Sequence, residues 1–381
     1  MARTPLSRFA VLSIAGSLSA GMAVLPSTPG GAESRRDEGA RVTNCNSSGS
    51  GSLADAVAGA RSGSTITISA SCSSENPITP ADVITIGTSL TIKASRSERA
   101  VISGGTTHSI FAVAPGAVVS LEGLTLRDAS GTGSFTLVDA GGAINNGGNL
   151  SLRNDVFENN RGFAGAAVSS TGSLRIDGCT FRHGTGFLGS STFSYGGDVR
   201  ISDSEISDNT ALEGGLVTLG GSLTVRHSLV TRNTALGAIS GIAILGGDPS
   251  APARLLISDS IISNNDGGDL AGGVFTTGAV AATIERSTIA NNTAVDGAGI
   301  SNADATLTIR DSVFSGNSAI GAGGAIRSYG DNAAVNVESS RFFNNAGESL
   351  PTKYPGIYIF SGTLKVRGST FGSPRDGGRD R

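Results

Sequence analysis

The sequence predicts an all-β chain, a right-handed parallel β-helix solenoid of about ten to twelve coils with a short N-terminal capping helix. Three observations predict it. A frame of 24 to 32 residues recurs along the chain, apolar residues alternate with a period of two inside each copy, and serine and asparagine return at fixed places in it.

The frame is plain when Leu152-Arg-Asn-Asp-Val-Phe157-Glu-Asn-Asn160 is laid on Ile309-Arg-Asp-Ser-Val-Phe314-Ser-Gly-Asn317. Ten segments share it, anchored on Leu121, Leu152, Ile176, Ile201, Val225, Ile257, Ile284, Ile309, Val337 and Val366. Another apolar residue stands two places before an anchor, as in Leu150, Leu174, Val199, Leu223, Leu307 and Leu364, which is the alternation of a strand with one buried face. A third follows five places after every anchor: Leu126, Phe157, Phe181, Ile206, Val230, Ile262, Ile289, Phe314, Phe342 and Phe371. An odd step resets the alternation, so a corner lies between and a second strand begins. Gly-Gly-Ala-Ile at 141–144 and 323–326, Ala298-Gly-Ile300 and Gly356-Ile-Tyr-Ile359 supply a third strand. Each coil is then expected to hold three strands and three turns, with successive coils about 4.8 Å apart.

The corners carry their own marks. Serine stands three places after the anchor in seven of the ten segments, with Cys179 substituting once, and asparagine eight places after it in seven. Asn160, Asn209, Asn233, Asn265, Asn292, Asn317 and Asn345 are expected to point inward and join coil to coil, amide to amide.

Composition agrees. Glycine makes up 56 of 381 residues, charged residues 15%, and tryptophan is absent, which suits tight turns and small packed side chains and excludes a coiled coil or a charged disordered chain. Eleven prolines with irregular glycine spacing exclude collagen. A net charge of −3 gives no reason to expect nucleic acid or an anionic membrane surface as a partner.

Arg3 and Arg8 precede an apolar run from Phe9 to Leu25, ended by Pro26 and followed by small residues up to Ala32, the layout of a secretory signal peptide cleaved after Ala23 or after Ala32. The run is broken by serine and glycine and is short for a span of ~20 apolar residues, so no integral membrane segment is expected in the mature chain. The division expected is a signal peptide over 1–32, a linker over 33–41, a cap with the first strands over 42–89, the β-helix over 90–372 and a flexible tail over 373–381. In an oxidising compartment Cys45 and Cys72 are the expected disulfide, and Cys179 is a buried thiol. Ser52 is a good N-cap, and Leu53, Ala56, Val57 and Ala60 fall on one helical face.

Phe157-x-x-Asn160, Phe314-x-x-Asn317 and Phe342-x-x-Asn345, alternating with Gly-Gly-Ala-Ile segments, resemble the repeats of polymorphic outer membrane proteins. More broadly they resemble secreted bacterial right-handed β-helix proteins of the pectin-lyase-like superfamily. The likeness runs from about residue 90 to residue 371, and Gly51-Ser-Leu-Ala-Asp-Ala-Val57 resembles the capping helix of such proteins. No membrane-barrel pattern follows the last repeat, so no autotransporter activity carries over.

The superfamily resemblance implies polysaccharide lyases and hydrolases among its members, whose chemistry needs particular side chains. A lyase needs acidic calcium ligands and a basic side chain on one outer face, and an inverting hydrolase needs two carboxyls ~6.5 to 9.5 Å apart. The best row lies two places after the anchors: Asp203, His227, Asp259, Arg286 and Asp311. Asp203 and Asp259 would stand roughly 10 Å apart with His227 between them. An exposed corner in which aspartate is simply a favoured turn residue explains the same row. Asp266-Gly-Gly-Asp269 is a weak calcium candidate, and calcium is the one cofactor to which the sequence points. His108 and His183 have no partner at metal-ligand spacing. Aromatic platforms for sugar reduce to Tyr195, Tyr329, Tyr354, Tyr358, Phe163 and Phe187. The function expected is that of a secreted, non-catalytic β-helix acting at or outside the cell surface as a binding, adhesive or structural module, with an extracellular glycan or surface protein as partner. The alternative is a polysaccharide lyase or glycoside hydrolase using Asp203, His227 and Asp259.

Overall fold

The computed structural model describes residues 40–95, 98–131, 140–348 and 356–372. Short parallel strands make up nearly all of their regular structure, in three long sheets of 13, 11 and 11 strands, which we call A, B and C. In each sheet the strands follow one another in chain order, one per coil, so the chain winds through A, B and C before returning to A. All described residues fall in the compact unit Gly39–Arg381. The expected signal peptide and tail lie outside the described residues.

Register in sheet A sets Ile66 against Ile92, Ile92 against Leu121, Leu121 against Leu152 and Leu152 against Ile176. The anchoring row therefore begins two coils before Leu121. The sequence frame missed Ile66 and Ile92 because Ser71 and Ser97, not apolar residues, stand five places after them. In sheet B the inward phenylalanines stack one per coil. Ring centroids are 4.7 Å apart for Phe157 and Phe181, 4.7 Å for Phe314 and Phe342, and 4.8 Å for Phe342 and Phe371, the spacing of the strands that carry them.

Both corners are left-handed. The residue two places after an anchor has positive φ: 52° at Asn154, 51° at Asp203, 47° at His227, 52° at Asp259 and 49° at Asp311. Reversing the backbone sense at one residue converts an even step into the odd step of five, and Asp and Asn tolerate that region better than most side chains. The next residue inward is the serine. Ser228 Oγ accepts the N–H of Ser204 at 3.2 Å and donates to the Arg226 carbonyl at 2.6 Å, and Ser260, Ser287, Ser312 and Ser340 repeat the pattern. Serine is thus the smallest side chain that satisfies the N–H exposed at a corner. At the second corner Asn159, Asp208, Arg232, Asn264 and Asn291 again have positive φ, and the buried asparagine row follows.

Three strands per coil is where the expectation falls short. After the asparagine corner the chain adds a fourth strand, Arg161–Ala164, Thr185–Leu188, Thr210–Glu213 and Thr234–Ala235, and again Thr293–Ala294, Ser318–Ala322 and Ala346–Glu348. Bridges from Thr234 and Thr293 to Asp266 join the two groups into one surface, sheet D. It packs outside sheet C and encloses a second core of Phe193, Val217, Ala243 and Phe275 with Ala164, Ala238, Ile239 and Ala271. In register those four C-sheet residues alternate with Thr192, Leu216, Ile242 and Val274, so they point away from the tube and are nevertheless buried.

At the N-terminal end a helix, Leu53–Ala58, begins at Ser52, whose Oγ accepts the Asp55 N–H. Leu53 and Val57 are buried in the same core as Val42 and Ile66, with Ala54, Ala56 and Ala60 packed against it. The Cys45–Cys72 disulfide forms as expected, across 27 residues.

Candidate binding surface

Between the inward anchors of sheet A stand side chains that face outward. Their register aligns Ser120, Ser151, Arg175, Arg200 and Thr224 in one column, and Glu122, Arg153, Asp177, Ser202 and Arg226 in the next. Arg153, Arg175 and Arg200 therefore stand on three consecutive coils. They line one end of a shallow groove of about 620 Å³ that runs back over Asn149, Ser151 and Ser173 to Ser120, Thr91, Ser89 and Gly63. Arg153 lies 3.6 Å from Glu122 and Arg200 3.8 Å from Asp198, both in water-exposed pairs that bind weakly. Arg175 has no ion pair among the described residues. The sequence did not single out this groove. Each of its side chains reads as an ordinary outward strand residue, and only the register gathers them.

The row picked out from the sequence lies on the left-handed corner between sheets A and B. Asp203 and His227 are exposed there. Asp259 accepts from Arg286 through both oxygens, Nε at 2.8 Å and Nη2 at 3.0 Å, and this guanidinium holds its carboxyl below the usual range. Arg286 also donates to Glu285 at 2.8 Å. Asp266 Oδ1 accepts from the Thr293 hydroxyl at 2.6 Å, and no group of three His, Cys, Asp or Glu side chains able to hold a metal gathers among the described residues. His108 bridges the Ser109 and Pro80 carbonyls, at 2.8 and 3.1 Å, and so ties neighbouring coils. Of the aromatic candidates, Phe163 and Phe187 stack at 5.0 Å, Tyr195 is exposed, and Arg327 covers Tyr329 at 4.3 Å. Tyr358 is partly buried, and Tyr354 lies outside the described residues.

One titrating side chain escaped the sequence reading. Asp155 takes the serine place after Leu152 and is fully buried. Its oxygens accept the Leu124 N–H at 2.8 Å and the Arg153 N–H at 3.1 Å, and its own N–H donates to Cys179 Sγ at 3.4 Å. Burial pushes the carboxyl up to about 7, partly offset by those two N–H donors, and pushes the Cys179 thiol up to about 12. A thiol so placed stays protonated and unreactive.

Long parallel sheets closed around one core, with serine and asparagine ladders at the corners, define a parallel β-helix. The chain belongs to the right-handed beta helix region family, whose model matches residues 137–251 and 238–371, more than half of it. No curated protein matches it in sequence. Among solved structures, that of PfbA, a surface adhesin of Streptococcus pneumoniae, aligns with 88% of this chain and 93% of its own at 10% sequence identity and a TM-score of 0.37. At that identity the surface side chains are not shared, so the likeness says nothing of what this chain binds. No helix among the described residues is long and apolar enough to cross a membrane.

Proposed function

We propose that this protein is an extracellular binding module and that the outer face of sheet A holds an acidic polymer, an acidic glycan before any other. The carrying observation is the run of Arg153, Arg175 and Arg200 on consecutive coils along an open groove floored by serine and asparagine. Arg175 and Arg200 are paired in one column on coils about 4.8 Å apart, with Arg153 in the next column, a spacing that repeated carboxylates on an extended chain can meet, each as a charge-assisted and often bidentate contact. The Cys45–Cys72 disulfide and the signal-like residues 1–32 support an oxidising, extracellular setting.

Retention of the purified protein on immobilised acidic and neutral polysaccharides tests this. Binding to the acidic ones alone, falling with salt and reduced at least tenfold in Arg175→Ala/Arg200→Ala, is expected; equal retention of that variant would sink the proposal. The same mixtures decide the lyase or hydrolase alternative, which is favoured by the position of Asp203 three residues past Arg200 on the same coil. Shortening of the polymer, with or without calcium, that disappears in Asp203→Ala or Asp259→Ala would make the protein an enzyme.

A further inference from the structure

Sheet D carries a surface that the sheet A groove does not use. Its strands align Arg161, Thr185, Thr210, Thr234, Asp266, Thr293 and Ser318 across successive coils. The next residue in each strand, such as Ala211, Ala235, Ala294 or Ala319, is small and buried. The one after that faces outward again, and it is apolar in coil after coil: Phe163, Phe187, Leu212, Leu236, then Gly268, then Val295 and Ile320. Phe187 is 45% exposed, Leu236 74%, Val295 39% and Ile320 86%. Scattered exposed apolar residues need no explanation, but a file of them on successive coils, interrupted at Gly268 and half-buried at Phe163 and Leu212, marks a contact surface. Six steps of about 4.8 Å make the file about 29 Å long.

Its borders are acidic. Glu213, Asp269 and Asp296 each follow directly after a member of the file, and Asp266 precedes Gly268 by two places. Asp296 is matched by Arg327 at 3.7 Å. Glu213 shares the column of Ala164 and Leu188 and is half-buried; burial raises its pKa, the Ala238 N–H that it accepts lowers it, and nearby Asp269 raises it. Among the described strands of sheet D, Arg161 at the first coil is the one basic residue. Two copies paired about a two-fold axis at the middle of the file, near Leu236 and Gly268, would set these acids against themselves, and an anionic lipid surface would be repelled for the same reason.

We propose that the outer face of sheet D docks an amphipathic, positively charged helix of a partner protein. Its apolar side would lie along Phe187, Leu212, Leu236, Val295 and Ile320, and its Lys or Arg residues over the exposed Asp266 and Asp269. A helix of about 19 residues spans 29 Å, and its apolar residues at i, i+3 and i+4 recur at ~5 to 6 Å, close to the coil spacing.

A fluorescent 19-residue peptide of Leu and Lys in helical amphipathic order is the probe, titrated with the full chain and followed by anisotropy. It should bind, and its Glu-for-Lys counterpart should not. Leu236→Ser/Ile320→Ser should weaken binding at least tenfold, and Asp266→Asn/Asp269→Asn severalfold with a shallower salt dependence. Because Leu236 and Ile320 are exposed, the first variant should melt as the parent does. Equal binding of the two peptides, or binding unaltered in both variants, overturns the proposal. So does a dimer in sedimentation that is lost in Ile320→Ser, which would name a second copy as the occupant, or adsorption to phosphatidylglycerol vesicles that is lost in the same variant. Retention on acidic glycan is read separately through Arg175 and Arg200, so either surface can fail without the other.

Discussion

The side-chain amide of Asn265 donates to Oδ1 of Asn292 at 3.0 Å, and the backbone N–H of Asn265 donates to that same oxygen at 3.0 Å. The other amide hydrogen of Asn265 goes to the Val230 carbonyl at 3.0 Å. Repeated at Asn209, Asn233, Asn292 and Asn317, the arrangement ends on Asn345 and leaves each inward amide satisfied from the coils on either side. Gly184 interrupts the row after Asn160, and Asn209 Oδ1 there accepts the glycine N–H at 2.8 Å.

Replacing a middle member should therefore disturb two coils at once. Asn292→Leu removes the acceptor used twice by Asn265 and the donor to Asn317, and should lower stability by about 2 to 3 kcal/mol. Thermal melting reads the loss; an unchanged midpoint would mean that the row is not a stabilising ladder.

Asp155 makes stability depend on pH in a direction opposite to that of most carboxylates. Its carboxyl is ionised above about 4 when unfolded, but keeps its proton up to about 7 in the folded chain. Between those values the unfolded chain binds fewer protons, so the Asp155 contribution is full below about pH 4, declines as pH rises and is gone above about pH 7. The loss is on the order of 4 kcal/mol. Asp155→Ser installs the side chain that the row uses elsewhere. The difference in stability between parent and variant, measured by urea unfolding at several pH values, should shift toward the variant from pH 4 to 7 and then level off.

Cys179 should resist thiol reagents in the native protein and react once in denaturant, because burial keeps it protonated. Labelling by Ellman's reagent before and after guanidinium counts it directly, and rapid native labelling would contradict its burial.

Loss of the Cys45–Cys72 bridge frees a loop of 27 residues and should cost about 3.5 kcal/mol on the chain-entropy scale. A Cys45→Ala/Cys72→Ala variant should first lose protection around the Leu53–Ala58 helix, visible as earlier amide exchange there than in the asparagine ladder.

Gly172 turns the chain from sheet C back to sheet A, and a Cβ on it would overlap the Gly148 carbonyl of the preceding coil. Gly172→Ala should destabilise the protein by more than about 1 kcal/mol. Gly196, which has open space around a Cβ but a φ of 74°, should lose only the ~1 kcal/mol of a left-handed backbone when changed to alanine. Equal midpoints for Gly172→Ala and the parent would contradict the close approach.

Most of the solenoid was legible in the chain because a coil repeats the same local problem every 24 to 32 residues. Inward anchors, serines and asparagines are forced by burial and by the N–H groups exposed at each corner, so they leave a periodic trace that runs of Leu, Ser and Asn make visible. The early coils at Ile66 and Ile92 left a fainter one, since a longer corner puts the apolar residue of the second strand, Ile78 and Ile102, twelve and ten places after the anchor instead of five. Sheet D left a trace that is hard to read as a strand: apolar residues recur eleven places after the anchors, as at Phe187, Leu212 and Leu236, but Gly186, Ala211 and Ala235 before them are too small to mark a buried face, and the outward Phe193 and Phe275 look like core residues of a third strand. Asp155 stands in the serine place of the frame, yet only the structure shows it fully buried, with two N–H donors on its carboxylate. The Arg153, Arg175 and Arg200 groove and the apolar file of sheet D join residues about 25 positions apart in the chain. Their neighbours across the sheet are chosen by strand register, and hydrogen bonding between coils sets that register in three dimensions.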